Sequence, residues 1–381
     1  MTEYIKATDM NSKITSRQFI SLCVLFMITS VQVINVYPNS KINIWFAAIS
    51  GAIGSIPVLL MFARLSGLYP DDNIFGITEK VTGKLFGKIF CFLYTMYAIY
   101  IGAVILRYLT EFIQVASMNE TPQWILLIFF GTLCGYIIFK GPNILAKLST
   151  LILPIVLAIF IFIILCSFGF YDYSNLRPGS DESIASFSDA ALSIASFSFG
   201  EVLFTINFLK KTDCSQRKKY SLFLISLILG TAFIVIQLLS NQLILGTNIS
   251  SILYFPNYEA VSIINVGDFI THIEVISIIS FLLCVLVKES VCIFSISEGT
   301  ASLTGLKKRN SILLFSTAAV ITGGYFAFGS TMDMFKFHSI NKYIVLIFQV
   351  IIPFVIYSVA EIKNIISRSR NTINEQKTLE R

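Results

Sequence analysis

Charge is what this chain has least of. Of its 381 residues only 13% are Asp, Glu, Lys or Arg, about half the usual share of a soluble domain. So few charges cannot cover a water-facing surface, which excludes an ordinary soluble fold. Histidine is nearly missing, with His272 and His338 alone, so a histidine-built metal centre is excluded. The cysteines Cys23, Cys91, Cys134, Cys166, Cys214, Cys284 and Cys292 form no Cys-x-x-Cys pair, and all but Cys214 lie in apolar runs. They read as small buried hydrophobes rather than as a zinc site or a disulfide framework. No phosphate-binding glycine loop and no nucleophile–base set stands out, so neither an enzyme nor a cofactor is expected. A cleavable leader is not expected either. Met1–Arg17 is polar and contains acids, and the apolar run after it is too long for a signal core and lacks a small-residue cleavage site.

Hydrocarbon fills the space that charge leaves. Hydrophobic residues make up 55% of the chain, 34 of them Phe, and the mean hydropathy is +0.77. A bilayer core of about 30 Å is crossed by about 20 apolar residues in a helix. The apolar runs predict an all-α integral membrane protein with about ten spans, at 18–37, 43–65, 86–114, 123–139, 144–169, 185–209, 220–245, 269–297, 311–329 and 341–361.

Lysine and arginine set the expected orientation. Lys6, Lys13 and Arg17, then Lys80, Lys84 and Lys88 with Arg64 at the preceding helix end, then Lys140 and Lys147, then Lys210, Lys211, Arg217, Lys218 and Lys219, then Lys307, Lys308 and Arg309 all fall on one side of this ten-span scheme, joined by the basic C-terminal tail. The other side has Lys41, Arg177, Lys336 and Lys342. Both termini are therefore expected in the cytoplasm. Topology accounts for the basic runs without a nucleic-acid partner. Ten spans divide into two halves of five, and a half that starts inside and ends outside forces the second to be inverted. Inverted-repeat transporters place their site at the first helix of each half, here 18–37 and 185–209. The expected division is a cytoplasmic tail at 1–13, a membrane domain at 14–362 with halves near 14–170 and 184–362, and a cytoplasmic tail at 363–381.

Ionisable groups deep in a membrane are costly and usually face the bundle interior. Those here are Arg107 with Glu111, Glu201, Glu274, and Lys288 with Glu289. Arg107 and Glu111 stand four apart on one helix face and fit a structural ion pair. Glu201 closes Ser196-Phe197-Ser198-Phe199-Gly200-Glu201, a small-residue stretch that would let a membrane helix unwind and offer backbone groups to a ligand, or simply let helices pack closely. In the first span the polar cluster is Thr29, Ser30 and Gln32, with no glycine. A break there competes with hydroxyls that bond back to their own helix. Lys288 is suited to hold a carboxylate ligand, to stand in for a coupling cation, or to pair with Glu201. Tyr97 and Tyr100 can line a cavity with hydroxyl donors, although core packing is the commoner role. Gly246–Gly267 is long for a connector, and its Phe255-Pro256-Asn257-Tyr258-Glu259 stretch suits a short helix over the outer mouth.

Several stretches, in order, carry a resemblance. They are Ile14-Thr15-Ser16-Arg17-Gln18-Phe19, Leu65-Ser66-Gly67-Leu68-Tyr69-Pro70, Gly83-Lys84-Leu85-Phe86-Gly87-Lys88, Leu106-Arg107 with Glu111-Phe112 and Thr121-Pro122, Asn175-Leu176-Arg177-Pro178, and Phe255-Pro256 through Glu259-Ala260-Val261 to Ile264-Asn265-Val266-Gly267. From about Ile14 to Ile362 the chain resembles the B subunit of the nutrient germinant receptors of spore-forming bacteria, a family related to amino acid/polyamine/organocation permeases with a LeuT-like fold. It departs from that family at Thr29, where a glycine usually marks a helix break, at Gly200, which directly precedes Glu201 instead of standing two before it, and at His272, where arginine is common.

The resemblance implies a subunit of the spore inner membrane that binds a small germinant, often an amino acid, and acts with a membrane A subunit and a lipoprotein C subunit. The expected ligand site lies between broken first and sixth helices. Thr29, Ser30, Val31, Ser198, Phe199 and Gly200 would hold the polar end of the ligand, Tyr97 and Lys288 would complete the pocket, and Glu201 would serve coupling or an ion. A proton- or sodium-coupled amino-acid transporter of the same fold is the alternative.

Overall fold

A computed structural model describes residues 13–33, 44–176, 183–212, 214–264, 273–306, 308–329 and 331–379. Almost all of them are helical, as a chain in hydrocarbon must be, because no water is present there to satisfy free backbone groups. The helices are α1 (Ser16–Val33), α2 (Ile44–Leu68), the short α3 (Ile74–Thr82), α4 (Lys84–Ala116), α5 (Gln123–Lys140) and α6 (Pro142–Ser167). Then comes α7 (Ile184–Ile194), which continues through a π turn (Ala195–Phe199) and a 3-10 segment (Gly200–Thr205) into α8 (Ile206–Leu209). They are followed by α9 (Gln216–Ile252), α10 (Pro256–Ser262), α11 (Ile273–Thr304), α12 (Arg309–Phe326), α13 (Thr331–Leu346), a second π turn (Ile347–Ile351) and α14 (Ile352–Leu379).

Eight of these segments are long and apolar enough to cross a membrane. The first expected span is a shorter apolar helix, Ser16–Gln32, and its expected end at 34–37 lies outside the described residues. The ninth expected span is α12, 18 residues with Arg309 and Asn310 at its start, and it is not among the eight. Burial separates inside from outside. In the segment Ile184–Leu209, 89% of the most apolar window is buried, against 17% for Pro142–Phe170. The sixth segment is therefore the centre of the bundle, while α6 turns side chains such as Leu151, Ile161 and Leu165 outward, where lipid would meet them.

The basic residues expected on one side do gather at one end. Arg64 Nε lies 2.5 Å from Glu361 Oε1. Lys219 donates to the Ser66 carbonyl at 2.6 Å, Arg309 to the Ile138 carbonyl at 3.1 Å, and Lys363 to the Lys80 carbonyl at 3.2 Å. Ile14 N donates to the Lys211 carbonyl at 2.9 Å, which ties the chain's start to the same end. At the other end Lys342 pairs with Asp189, and Phe112 packs edge-on against Phe255, Tyr258 and Phe281 with centroids 5.3 to 5.5 Å apart. The short helix expected over that mouth is α10, with Pro256 in its first turn. Long α9 bends at Gly246, whose φ of +74° lies in the left-handed region open to glycine.

The structure corrects one expectation. Helix α1 is not broken at Thr29–Val31, because Ser16–Val33 is continuous α-helix. It contains neither glycine nor proline, and the Thr29 hydroxyl donates to the Leu25 carbonyl at 2.6 Å, which reinforces the turn. The C-terminal helix also runs past 361 to Leu379, so the expected tail at 363–381 is helical as far as it is described. Arg177, Asn265–Gly267 and His272 lie outside the described residues.

Candidate functional site

Irregular backbone in the sixth segment builds the site. Where Ala195–Phe199 widens into a π turn and Gly200–Thr205 tightens into a 3-10 helix, carbonyls lose their regular helical partners. Side chains from other helices supply donors instead, as membrane proteins require. Ser30 of α1 donates its hydroxyl to the Phe197 carbonyl at 2.8 Å. Gln349, inside the second π turn, donates Nε2 to the Ser196 carbonyl and to the Tyr97 hydroxyl, both at 2.7 Å. Two π turns therefore face each other across Gln349.

On the α1 side of the sixth segment stands an ion pair. Lys288 of α11 is fully buried. Its ammonium donates to Glu201 Oε2 at 2.5 Å and to the Ser30 hydroxyl at 2.7 Å, and it sits 4.8 Å from the centre of the Phe26 ring. Three elements meet at this one nitrogen. Desolvation of two charges is offset only when the pair is close and its other donors are satisfied, and Ser30 and the Phe26 ring supply that here. The adjacent Glu289, about 100° further round α11, faces Gly102 of α4. It is fully buried, and neither carboxylate oxygen has a donor among the described residues.

Around the other side of the sixth segment, the Tyr97 ring stacks on Phe348 at 4.6 Å and tilts against Phe204 at 5.6 Å. Gly200 lies so close to Gln349 that a Cβ there would fall 2.0 Å from Oε1. This face opens into a cavity of about 370 Å³ lined by Ser50, Ser55, Ser196, Gly200 and Gln349 among others. A second, small cavity of about 20 Å³ lies toward the end opposite the basic residues, among Gln32, Gln237, Ser240, Asn241, Asn257 and Ser280. It is polar and roomy enough for one water.

The structure thus splits the sequence-predicted set in two. Ser30, Lys288 and Glu201 form one cluster, and Thr29 reaches it through its contact with the Cys284 carbonyl at 3.3 Å. Tyr97 and Gly200 join the Gln349 cluster. Ser198 and Phe199 are buried between the two, and Ser198 Oγ has no partner among the described residues. Val31 points its carbonyl at Gln237 Nε2, 3.3 Å away, and so belongs to the small polar cavity. Arg107 and Glu111 form the expected structural pair, Nη2 to Oε1 at 2.7 Å, steadied by Gln123 at 3.0 Å. Sequence reasoning missed Gln349. Its signal was there, since it is the one polar residue in the apolar run Ile344–Ile356.

Comparison with known proteins bears on the family and the fold. The sequence pattern of the family described as "Spore germination protein" matches residues 13–325. Spore germination protein YndE of Bacillus subtilis (strain 168) is 26% identical over 169 residues, and the match spans 44% of this chain and 47% of that protein. The putative spore germination protein YfkT of the same organism is 22% identical over 327 residues, 85% of this chain and 89% of that one. Among solved structures, Mhp1, a nucleobase-cation-symport-1 family transporter in a closed conformation with bromovinylhydantoin bound, superposes with a TM-score of 0.64 at 12% identity, over 87% of this chain and 76% of its own. The shared architecture is the LeuT-like fold.

Proposed function

Because the chain belongs to the spore germination protein family, whose pattern covers most of its length, we propose that it is the ligand-sensing B-type subunit of a nutrient germinant receptor. In this reading it binds a small zwitterionic germinant, an amino acid, in its permease-like core. One observation carries the reading: a buried cation and a buried anion, Lys288 and Glu201, face each other at 2.5 Å beside irregular backbone. An α-amino acid bears the same two charges in reverse. Its carboxylate would take Lys288 and the Ser30 hydroxyl, and its ammonium would take Glu201 and the carbonyl of Phe197.

Binding between the two partners must part α11 from the sixth segment, and that displacement is the signal. A ligand moves such an equilibrium only by its preference for one conformation. The energy for prising the pair apart comes from the charge-assisted hydrogen bonds that replace it. The A and C subunits in the spore inner membrane would read the movement. Nothing in this scheme breaks or makes a covalent bond, so the protein works as a binding device and not as an enzyme.

The test uses spores carrying Lys288→Met or Ser30→Ala, with Lys84→Gln as a control on the basic end. The reading expects germination by the cognate amino acid to be lost in Lys288→Met, weakened about tenfold or more in Ser30→Ala, which removes a hydrogen bond to a charged group, and kept in Lys84→Gln, with subunit assembly intact in all three. An unchanged response in Lys288→Met would overturn it. Concentrative uptake of the amino acid by this chain alone in proteoliposomes would replace the receptor by an ion-coupled transporter of the same fold.

A further inference from the structure

At the basic end, away from the Lys288–Glu201 pair, a cavity of about 420 Å³ opens among the ends of α5, α8 and α11 and the starts of α6 and α12. Lys210, Lys211 and Arg309 line it, with Glu298. Glu298 Oε2 is already engaged, accepting from Lys210 Nζ at 2.8 Å and from Asn73 Nδ2 at 2.6 Å. Among the described residues Lys211 makes no ion pair and no side-chain hydrogen bond. The residue is half-buried, and its pKa is lowered, first by that burial and then by the charge of Lys210; Glu298 offsets part of this and Arg309 adds to it.

The neutral part of the lining points the same way. Gly141, Pro142 and Asn143 line the cavity, and they are the first turn of the 26-residue α6, whose N-cap makes no side-chain hydrogen bond. Pro142 has no N–H and the Gly141 amide donates to the Ile138 carbonyl at 3.0 Å, so what this helix start offers the cavity is the positive end of its dipole. The cavity therefore combines Lys211, crowded and without an ion-pair partner among the described residues, its neighbour Lys210 already engaged by Glu298, Arg309 from a different element, and a helix start. One anion would balance Lys211 and Arg309 together.

We propose that this vestibule binds a phosphate-bearing anion, held by Lys211 and Arg309 against the start of α6. Phosphate fits because it offers several acceptor oxygens in three dimensions, enough for a guanidinium and an ammonium together, and its charge suits the positive end of a helix dipole. A phospholipid headgroup of the adjoining leaflet and free phosphate are two sources of that one chemistry. Topology alone asks for positive charge at this end. It does not ask for that charge to converge on a concave, half-buried site.

The full chain in nanodiscs of neutral phosphatidylcholine is the material for the test. One arm dopes the discs with phosphatidylglycerol and counts retained lipid by native mass spectrometry. The other titrates inorganic phosphate and follows the thermal midpoint. Wild type should retain phosphatidylglycerol at least tenfold over phosphatidylcholine, or gain a saturable rise in midpoint with phosphate. The first result assigns the headgroup, the second the free anion. Lys211→Gln and Arg309→Gln should each lose the effect, whereas Lys84→Gln, at the same end and outside the cavity, should keep it. Lys211 has no side-chain partner to lose among the described residues, so its variant is expected to fold. Absence of saturable binding in both arms, or an equal loss in Lys84→Gln, would overturn the proposal and reduce the site to diffuse interfacial charge.

Discussion

Lys288 and Glu201, 87 positions apart in the sequence, meet at 2.5 Å with almost no exposure to the surroundings. Neither tolerates the loss of the other, because the survivor is left as an uncompensated buried charge. Lys288→Met and Glu201→Leu should each destabilise the protein by about 3–5 kcal/mol, while the double variant Lys288→Met/Glu201→Leu should recover most of that loss. A double-mutant cycle on thermal midpoints in a fixed lipid or detergent reads the coupling. Additive losses would show that the pair does not act as a unit.

Gly200 and Gln349 make a steric prediction. A methyl at position 200 would stand 2.0 Å from Gln349 Oε1, and overpacking of this kind costs about 1–3 kcal/mol. Gly200→Ala should lower the thermal midpoint, and the same change on a Gln349→Ala background should cost much less. If Gly200→Ala is silent on the wild-type background, the Gln349 side chain does not pack against Gly200 in the membrane.

Glu289 should behave oppositely to Glu201, although both are buried glutamates. Neither oxygen of Glu289 has a donor among the described residues. Replacing it removes a desolvated polar group and breaks no hydrogen bond. Glu289→Gln is expected to leave the midpoint unchanged or raised, against a drop for Glu201→Gln. Parallel melting curves of the two variants make the comparison, and an equal drop in both would mean that Glu289 has a partner in the folded protein.

Lys211 carries a pH signature. Its folded-state pKa lies below the ordinary lysine value of 10.5, from burial first and from the charges of Lys210 and Arg309. The folded protein therefore binds this proton less tightly than the unfolded chain does, and stability rises with pH between the depressed value and 10.5. Below that window the charged lysine destabilises the fold. Lys211→Gln should consequently raise the midpoint at neutral pH, and the gap should close as pH climbs through the window. Saturation of the vestibule with an anion should shrink the same gap, since the anion restores the balance that Lys211 lacks.

Much of this was legible before any coordinates. Charge scarcity and apolar runs of about 20 residues dictate membrane helices, because a run of that length crosses the bilayer as a helix that pairs its own backbone, whereas barrel strands are about half as long. The basic residues written on one side of the scheme do gather at one end, through Arg64, Lys219 and Arg309. Glu201 and Lys288 stood out because ionisable groups in such runs are rare. Their pairing was one of several readings open to sequence, and so was the choice at Thr29 between breaking its helix and bonding back to it.

Those choices fell to tertiary structure, for a physical reason. Hydropathy and charge are properties of single positions and local windows, and they fix what must be buried and which end faces which side. Partnership across the bundle depends on how helices rotate about their own axes, and a few tens of degrees decide whether Lys288 meets Glu201 or lipid. The same rotation turns the adjacent Glu289 away from every donor, sets Gln349 against Gly200, and leaves α1 continuous because Ser30 can reach the Phe197 carbonyl without any break in its own helix.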